Sequence, residues 1–143
     1  MKLLDLNLLL YAVDEASPHH DVARPWVEAT LSGPETVALS WSVLLGFVRL
    51  STRATVFEEP LEADEALDLV DSWLAQPPTT VVHPTDRHAA VLRSLIAPLG
   101  TAGNLTTDAH LAALSIEHGA ELCSADADFT RFPGVRWTNP LRR

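Results

Sequence analysis

Of the 19 acidic residues in the chain, the ones with most chemical consequence follow short apolar runs. Asp5 closes the run Lys2 to Asp5, where a carboxylate among Leu3, Leu4 and Leu6 is costly to bury without a partner. Asp126 and Asp128 come just after the run Glu121 to Ser124, and Asp108 opens a helical pattern that ends near His118. That helix travels roughly 16 Å at about 1.5 Å per residue, and the strand after it returns roughly 13 Å, so Asp108 and Asp126 fall on one rim. If the first strand lies beside the returning one, Asp5 joins them. Three carboxylates that close raise one another's pKa or recruit a cation. Oxygen-only donors suit Mg²⁺ or Mn²⁺, and no His or Cys cluster has zinc-ligand spacing. Taken singly, each acid also has a plainer role: Asp108 as a helix cap, Asp126 or Asp128 in an Asx turn before Phe129.

The elements that must position these acids alternate along the chain. Lys2 to Asp5 reads as a strand and Leu6 to Val13 as a short helix. Ser17-Pro18 starts a second helix, with Val22, Trp26, Val27 and Leu31 at helical spacing until Gly33-Pro34. A strand from Thr36 to Leu39 leads to Ser40, a plausible N-cap for an almost wholly apolar helix from Trp41 to about Thr52. After Pro60 comes an amphipathic helix with Leu61, Ala66, Leu67, Leu69, Val70, Trp73 and Leu74 inward and an acid run, Glu62 to Asp71, on its solvated face. Thr79 to Val82 is β-branched and strand-like, a helix begins at Thr85, another spans Thr106 to His118, and short strands follow at Glu121 to Ser124 and Val135 to Trp137. Strands separated by helices of this length predict an α/β fold: a three-layer sandwich with a mainly parallel central sheet flanked by helices. Ligands of such sheets bind beyond the carboxyl ends of the strands, which is where these acids stand.

Composition bounds the rest. A chain of 143 residues, 47% hydrophobic, is expected to form a single domain over 1–143. No apolar run is long enough for a membrane span and no secretory signal opens the chain, so a cytoplasmic location is expected. Cys123 lies in an apolar stretch and is expected to be a buried small hydrophobe. A net charge of -9 removes general attraction to a nucleic-acid backbone, but carboxylates loaded with cations present a positive site to phosphate.

Together the pieces resemble the PIN-domain ribonucleases, specifically the VapC-type toxins of toxin–antitoxin pairs. Asp5-Leu6-Asn7 resembles the family's opening D-x-N. Thr107-Asp108-Ala109, followed by Leu111 to Leu114, resembles its T-D-x helix, and Ser124 to Phe129 its closing T-x-D-x-D-F. Gly103-Asn104-Leu105, Ile116 to Ala120 and Phe132-Pro133-Gly134 extend the likeness over nearly the whole chain. The resemblance implies a PIN-like fold and hydrolysis of RNA phosphodiester bonds, tRNA among the candidate substrates, with ion-activated water and no protein nucleophile. It implies Asp5, Asp108 and Asp126 as catalytic, metal-holding residues, supported by Asn7, Thr107 and Asp128, with Mg²⁺ or Mn²⁺ as cofactor. It also implies a cognate VapB-like antitoxin and a homodimer. One departure stands out: many members carry a glutamate on the helix after the second strand, where this chain has Gly46. Its loss is expected to leave one ion more hydrated or more weakly held.

Arg49 and Arg53, a turn apart, are candidate contacts for RNA phosphate or an antitoxin carboxylate, against the plainer reading of a surface ion pair. The six histidines form no motif; only His110, one helical step beyond Asp108, is placed to approach the site, and a catalytic role for it is not expected. Trp26, Trp41, Trp73 and Trp137 read as core or dimer contacts. Two other functions are weighed. A haloacid-dehalogenase-like phosphotransferase also starts from an aspartate after the first strand, but needs a second acid where Asn7 stands. An attenuated PIN domain would bind RNA or a partner without cutting.

Overall fold

A computed structural model describes residues 1–142. Its centre is a five-stranded sheet in the order β3-β2-β1-β4-β5, with β1 at Lys2–Leu4, β2 at Val37–Leu39, β3 at Thr79–Val81, β4 at Glu121–Cys123 and β5 at Trp137–Thr138. Every neighbouring pair is parallel. The sheet is thus wholly parallel among the described residues, where the sequence predicts a mainly parallel one.

The helices are α1 at Leu6–Val13, α2 at His20–Leu31, α3 at Trp41–Ser51, α4 at Ala63–Leu74, α5 at His88–Ile96 and α6 at Thr106–Glu117. Short strands buried on both faces need helices over each face, and the core shows this closure. Leu3, Leu4, Val37, Leu39 and Leu122 from the sheet pack with Leu8, Leu9, Phe47, Leu44 and Leu114 from the helices, all at or near zero exposure.

Several boundaries differ from the sequence pattern. Helix α2 starts at His20 because Ser17 and Pro18 are spent in a turn, in which Ser17 Oγ accepts from the His19 amide. Helix α5 starts at His88, because Asp86 and Arg87 form a turn in which the His88 amide donates to the Thr85 carbonyl at 3.0 Å. Strand β5 is shifted to Trp137–Thr138, where pairing with Leu122 and Cys123 decides it. Helix α4 buries Ala66, Val70 and Trp73 but leaves Leu67 exposed, so its inward face is narrower than the apolar pattern suggests. Helix α3 leaves Trp41 and Leu45 in solvent, four residues apart on one face.

Parallel pairing gives the sheet two unlike rims. At the amino end of the strands, the Met1 amino group lies 3.1 Å from Glu35, and Lys2 lies 3.7 Å from Glu35 and 3.4 Å from Glu121. At the carboxyl end stand the acids.

Candidate metal-holding site

Register brings the first and last motifs together. Leu4 pairs with Cys123, so the next residues, Asp5 and Ser124, are level at the carboxyl rim, and the Asp5 amide still donates to the Cys123 carbonyl at 2.9 Å. Asp5 leaves the strand in extended conformation and caps α1, its Oδ1 accepting from the Leu6 amide at 2.7 Å. Its Oδ2 accepts from the Ser124 hydroxyl at 2.6 Å and from Asn7 Nδ2 at 3.4 Å. A carboxylate only 9% exposed is tolerable here because each oxygen has a donor.

Ser124, fully buried, is the junction of the site. While donating to Asp5 it accepts from Asn7 Nδ2 at 3.1 Å and from the Asp126 amide at 3.0 Å. Asn7 also uses its carbonyl, accepting from the Ala125 amide at 3.3 Å. Asn7 is therefore a clip between the start of α1 and the β4 turn, a neutral two-way role an acid could not fill. Sequence reading named Asn7 and omitted Ser124; the signal it carried was its place level with Asp5 in adjacent strands.

Beyond Ser124, Asp126 turns the chain into a short 3₁₀ segment by accepting the Asp128 amide at 2.8 Å. This is the expected Asx turn, and it does not withdraw the acid from the rim. Asp108 projects from the first turn of α6, and one carboxylate oxygen each from Asp108, Asp126 and Asp128 lie within 4.8 Å of one another. Asp5 is outside that trio but close enough for its charge to act on Asp108. Thr107 is exposed at the start of α6.

The electrostatics follow from this crowding. Burial, then the charges of Asp5, Asp126 and Asp128, push the Asp108 carboxyl up to about 6. Burial also raises Asp5, and the bonds from Ser124 and Leu6 only partly offset it. Like charges gathered with no ion-pair partner among the described residues are unfavourable alone and become favourable around a divalent ion. The donor set therefore fits a hard cation: an acidic cluster of hard oxygens, with open ligand sites on exposed and half-buried groups.

The remaining candidates lie elsewhere. Gly46 is buried against α1, and a Cβ there would come 2.7 Å from Leu6 Cδ2. The space a side chain at 46 would enter is thus filled by the residue next to Asp5. Arg49 and Arg53 are exposed, and neither makes an ion pair among the described residues. His110 is hydrogen-bonded to His88 on α5. Of the tryptophans, Trp73 is buried against Phe47 and Trp137 donates its indole N–H to the Ser124 carbonyl at 3.0 Å, whereas Trp41 is 45% exposed and is no core residue.

Comparison with known proteins agrees with this geometry. The PIN domain family matches residues 2–135. Ribonuclease VapC37 of Mycobacterium tuberculosis is 47% identical over 140 residues, covering 98% of this chain and 97% of that protein. Ribonuclease VapC33 of the same organism is 42% identical over 142 residues, with 99% of each chain covered. Among solved structures, VapBC2 from Rickettsia felis bound to a promoter DNA fragment matches with a TM-score of 0.72 at 20% identity, covering 96% of this chain and 97% of that one. Mycobacterium tuberculosis VapC20 matches with a TM-score of 0.64 at 19% identity, covering 95% and 99%.

Proposed function

The chain belongs to the PIN-domain family, and from that premise we propose that it is a VapC-type endoribonuclease toxin that hydrolyses RNA phosphodiester bonds and is neutralised by a VapB-like antitoxin. The observation that carries the reading is the gathering of Asp108, Asp126 and Asp128 within 4.8 Å, beside an Asp5 held by Ser124. In this reading Mg²⁺ or Mn²⁺ is held by Asp108 and Asp126, with Asp5 and Asp128 at its sides. When bound, the ion supplies the positive charge that draws phosphate to an acidic protein and that stabilises charge developing on phosphate oxygens.

The chain's own residues do the positioning. Ser124 and Asn7 hold Oδ2 of Asp5 and the Leu6 amide holds Oδ1, and the Asx turn at Asp126 keeps its carboxylate level with Asp108. Asp108, raised to about 6, is ionised at neutral pH and is the acid whose charge most needs a cation. Arg49 and Arg53, exposed along and just past α3, are placed to meet RNA phosphate or an antitoxin carboxylate. The whole chain 1–143 works as one domain in the cytoplasm. It pairs as a homodimer, to which the exposed Trp41 and Leu45 are suited.

The deciding assay incubates the protein with structured RNAs, tRNA included, in Mg²⁺, in Mn²⁺ and in EDTA, beside Asp108→Asn and Asp126→Asn. Ion-dependent cleavage lost in both variants is the expected result. A second reading, an attenuated PIN domain that binds RNA or a partner without cutting, is favoured by one observation: Leu6 occupies the space beside Gly46, where the resemblance to the family implies a glutamate. RNA binding with no cleavage in either metal would replace the first reading with the second.

A further inference from the structure

A second polar chain leads away from the acid rim along α6 without sharing an atom with it. The Glu117 side chain, at the end of α6, is covered by its hydrogen-bond partners, although the residue as a whole is only half-buried. Its carboxylate nevertheless accepts from the Thr85 amide at 2.9 Å, the Thr85 hydroxyl at 2.6 Å and His88 Nδ1 at 2.5 Å. Burial pushes this carboxyl up, but the bonds from Thr85 and His88 outweigh it and leave it below its ordinary value. An ionised carboxylate can only accept, so His88 Nδ1 carries a hydrogen. The other ring nitrogen of His88, Nε2, stands 2.9 Å from Nδ1 of His110, with the rings edge-on at 4.9 Å. Glu117, His88 and His110 form a line. Only the three aspartates of the rim have ligand atoms within 4.8 Å of one another among the described residues, so this line is a tie and not a chelate.

The tie runs along α6. His110 and Glu117 are seven residues apart, almost two full turns, and so lie on one face of the helix, with His88 bridging them from α5. Asp108 is two residues ahead of His110. Local support at that end is thin: no side chain caps α6, the Thr106 hydroxyl donates only to the Gly103 carbonyl at 2.8 Å, and the chain enters through short 3₁₀ turns with Gly100 and Gly103 at positive φ. Yet this uncapped turn carries the acid that faces three others, whose repulsion pushes it away from the rim.

From this juxtaposition we propose that His88 and His110 are positioning residues for the ion site: anchored through Glu117, they hold the first turn of α6 so that Asp108 stays level with Asp126 and Asp128. The proposal rests on the reading of Asp108 as an ion ligand. It requires the Nδ1 side of His110, which bonds His88, and not the Nε2 side.

That distinction gives the test. Asparagine places its amide N–H near the position of imidazole Nδ1, and glutamine places its own near Nε2. Mn²⁺ affinity of the full chain is measured from the free-ion paramagnetic resonance signal for wild type, His110→Asn, His110→Gln, His110→Ala, His88→Ala and Asp108→Asn, with a thermal melt of each. Loss of an outer support of this kind costs about 10- to 100-fold in metal affinity. The expected result is that loss in His110→Gln and both alanine variants, and near-wild-type affinity in His110→Asn. Unchanged affinity in His110→Gln, with or without loss in His110→Asn, overturns the proposal. If the alanine variants do not fold, the asparagine and glutamine pair still decides. An Asp108→Asn protein that binds Mn²⁺ like wild type sinks the ion-ligand reading itself, which the histidine variants alone would leave standing.

Discussion

At the scale of single residues, the site is governed by which oxygens have donors and which are left for an ion. Asp5 has both oxygens engaged by Leu6, Ser124 and Asn7, whereas the rim trio keeps only the Asp128 amide bond to Asp126 among these contacts. Ser124→Ala removes the hydroxyl that serves Asp5, Asn7 and Asp126 together while leaving the fold's apolar packing intact. It should lower metal affinity and RNA cleavage by about 10- to 100-fold, as titration with Mn²⁺ and initial cleavage rates would report. The pH dependence follows from Asp108, whose carboxyl lies at about 6 in the fold against 3.8 unfolded. The folded chain holds this proton more tightly than the unfolded chain, so the metal-free protein loses stability as pH rises from about 4 through about 6. Ion binding needs the ionised form and runs the other way. The rise in melting temperature caused by Mn²⁺ should therefore grow across that window, and a rise that is largest at the acidic end would contradict the assignment.

At the scale of elements, the contact between α1 and α3 sets how much of the rim is available. Gly46 on α3 faces the end of the Leu6 side chain on α1, and a Cβ there, 2.7 Å from Leu6 Cδ2, would require that side chain to move. Gly46→Glu should thus destabilise the protein by about 1–3 kcal/mol through overpacking, and adding Leu6→Ala should recover most of the loss in a denaturant melt. Equal stability of the single and double variants would remove Leu6 as the obstacle. This contact was invisible in the sequence, where position 46 reads only as a missing acid. Elements with strong local signals were legible: α1, the Ser40 cap of α3 and α6 fall within a residue of their expected limits. The start of α5 was not, since a turn at Asp86 and Arg87 precedes it where the sequence offered Thr85. That the acids stand on one rim was legible because strand ends and helix starts fix their height; that Asp128 joins Asp108 and Asp126 while Asp5 stays outside the trio was not. Ser124 and the His88–His110 pair were not, because their meaning lies in partners on other elements.

At the scale of the whole molecule, parallel pairing of all strands sorts charge and reactivity by depth. Cys123 lies in the middle of the sheet, 1% exposed, and burial followed by the nearby Glu121 charge pushes its thiol up to about 12. A neutral thiol that far from solvent reacts only when the sheet opens. Its labelling by a disulfide reagent at pH 8 should match the rate of global unfolding; labelling within the mixing time would mean that β4 opens independently. The same pairing puts the Met1 amino group, with Lys2, Glu35 and Glu121, on the rim opposite Asp5. Four residues of extended chain, about 13 Å, separate the two ends of that strand. An affinity handle or fluorophore tethered to the first residue leaves from the far side of the molecule, and disturbs only the half-exposed ion pair of the Met1 amino group with Glu35. The protein can accordingly be immobilised by its amino end with the carboxylate rim facing free solution.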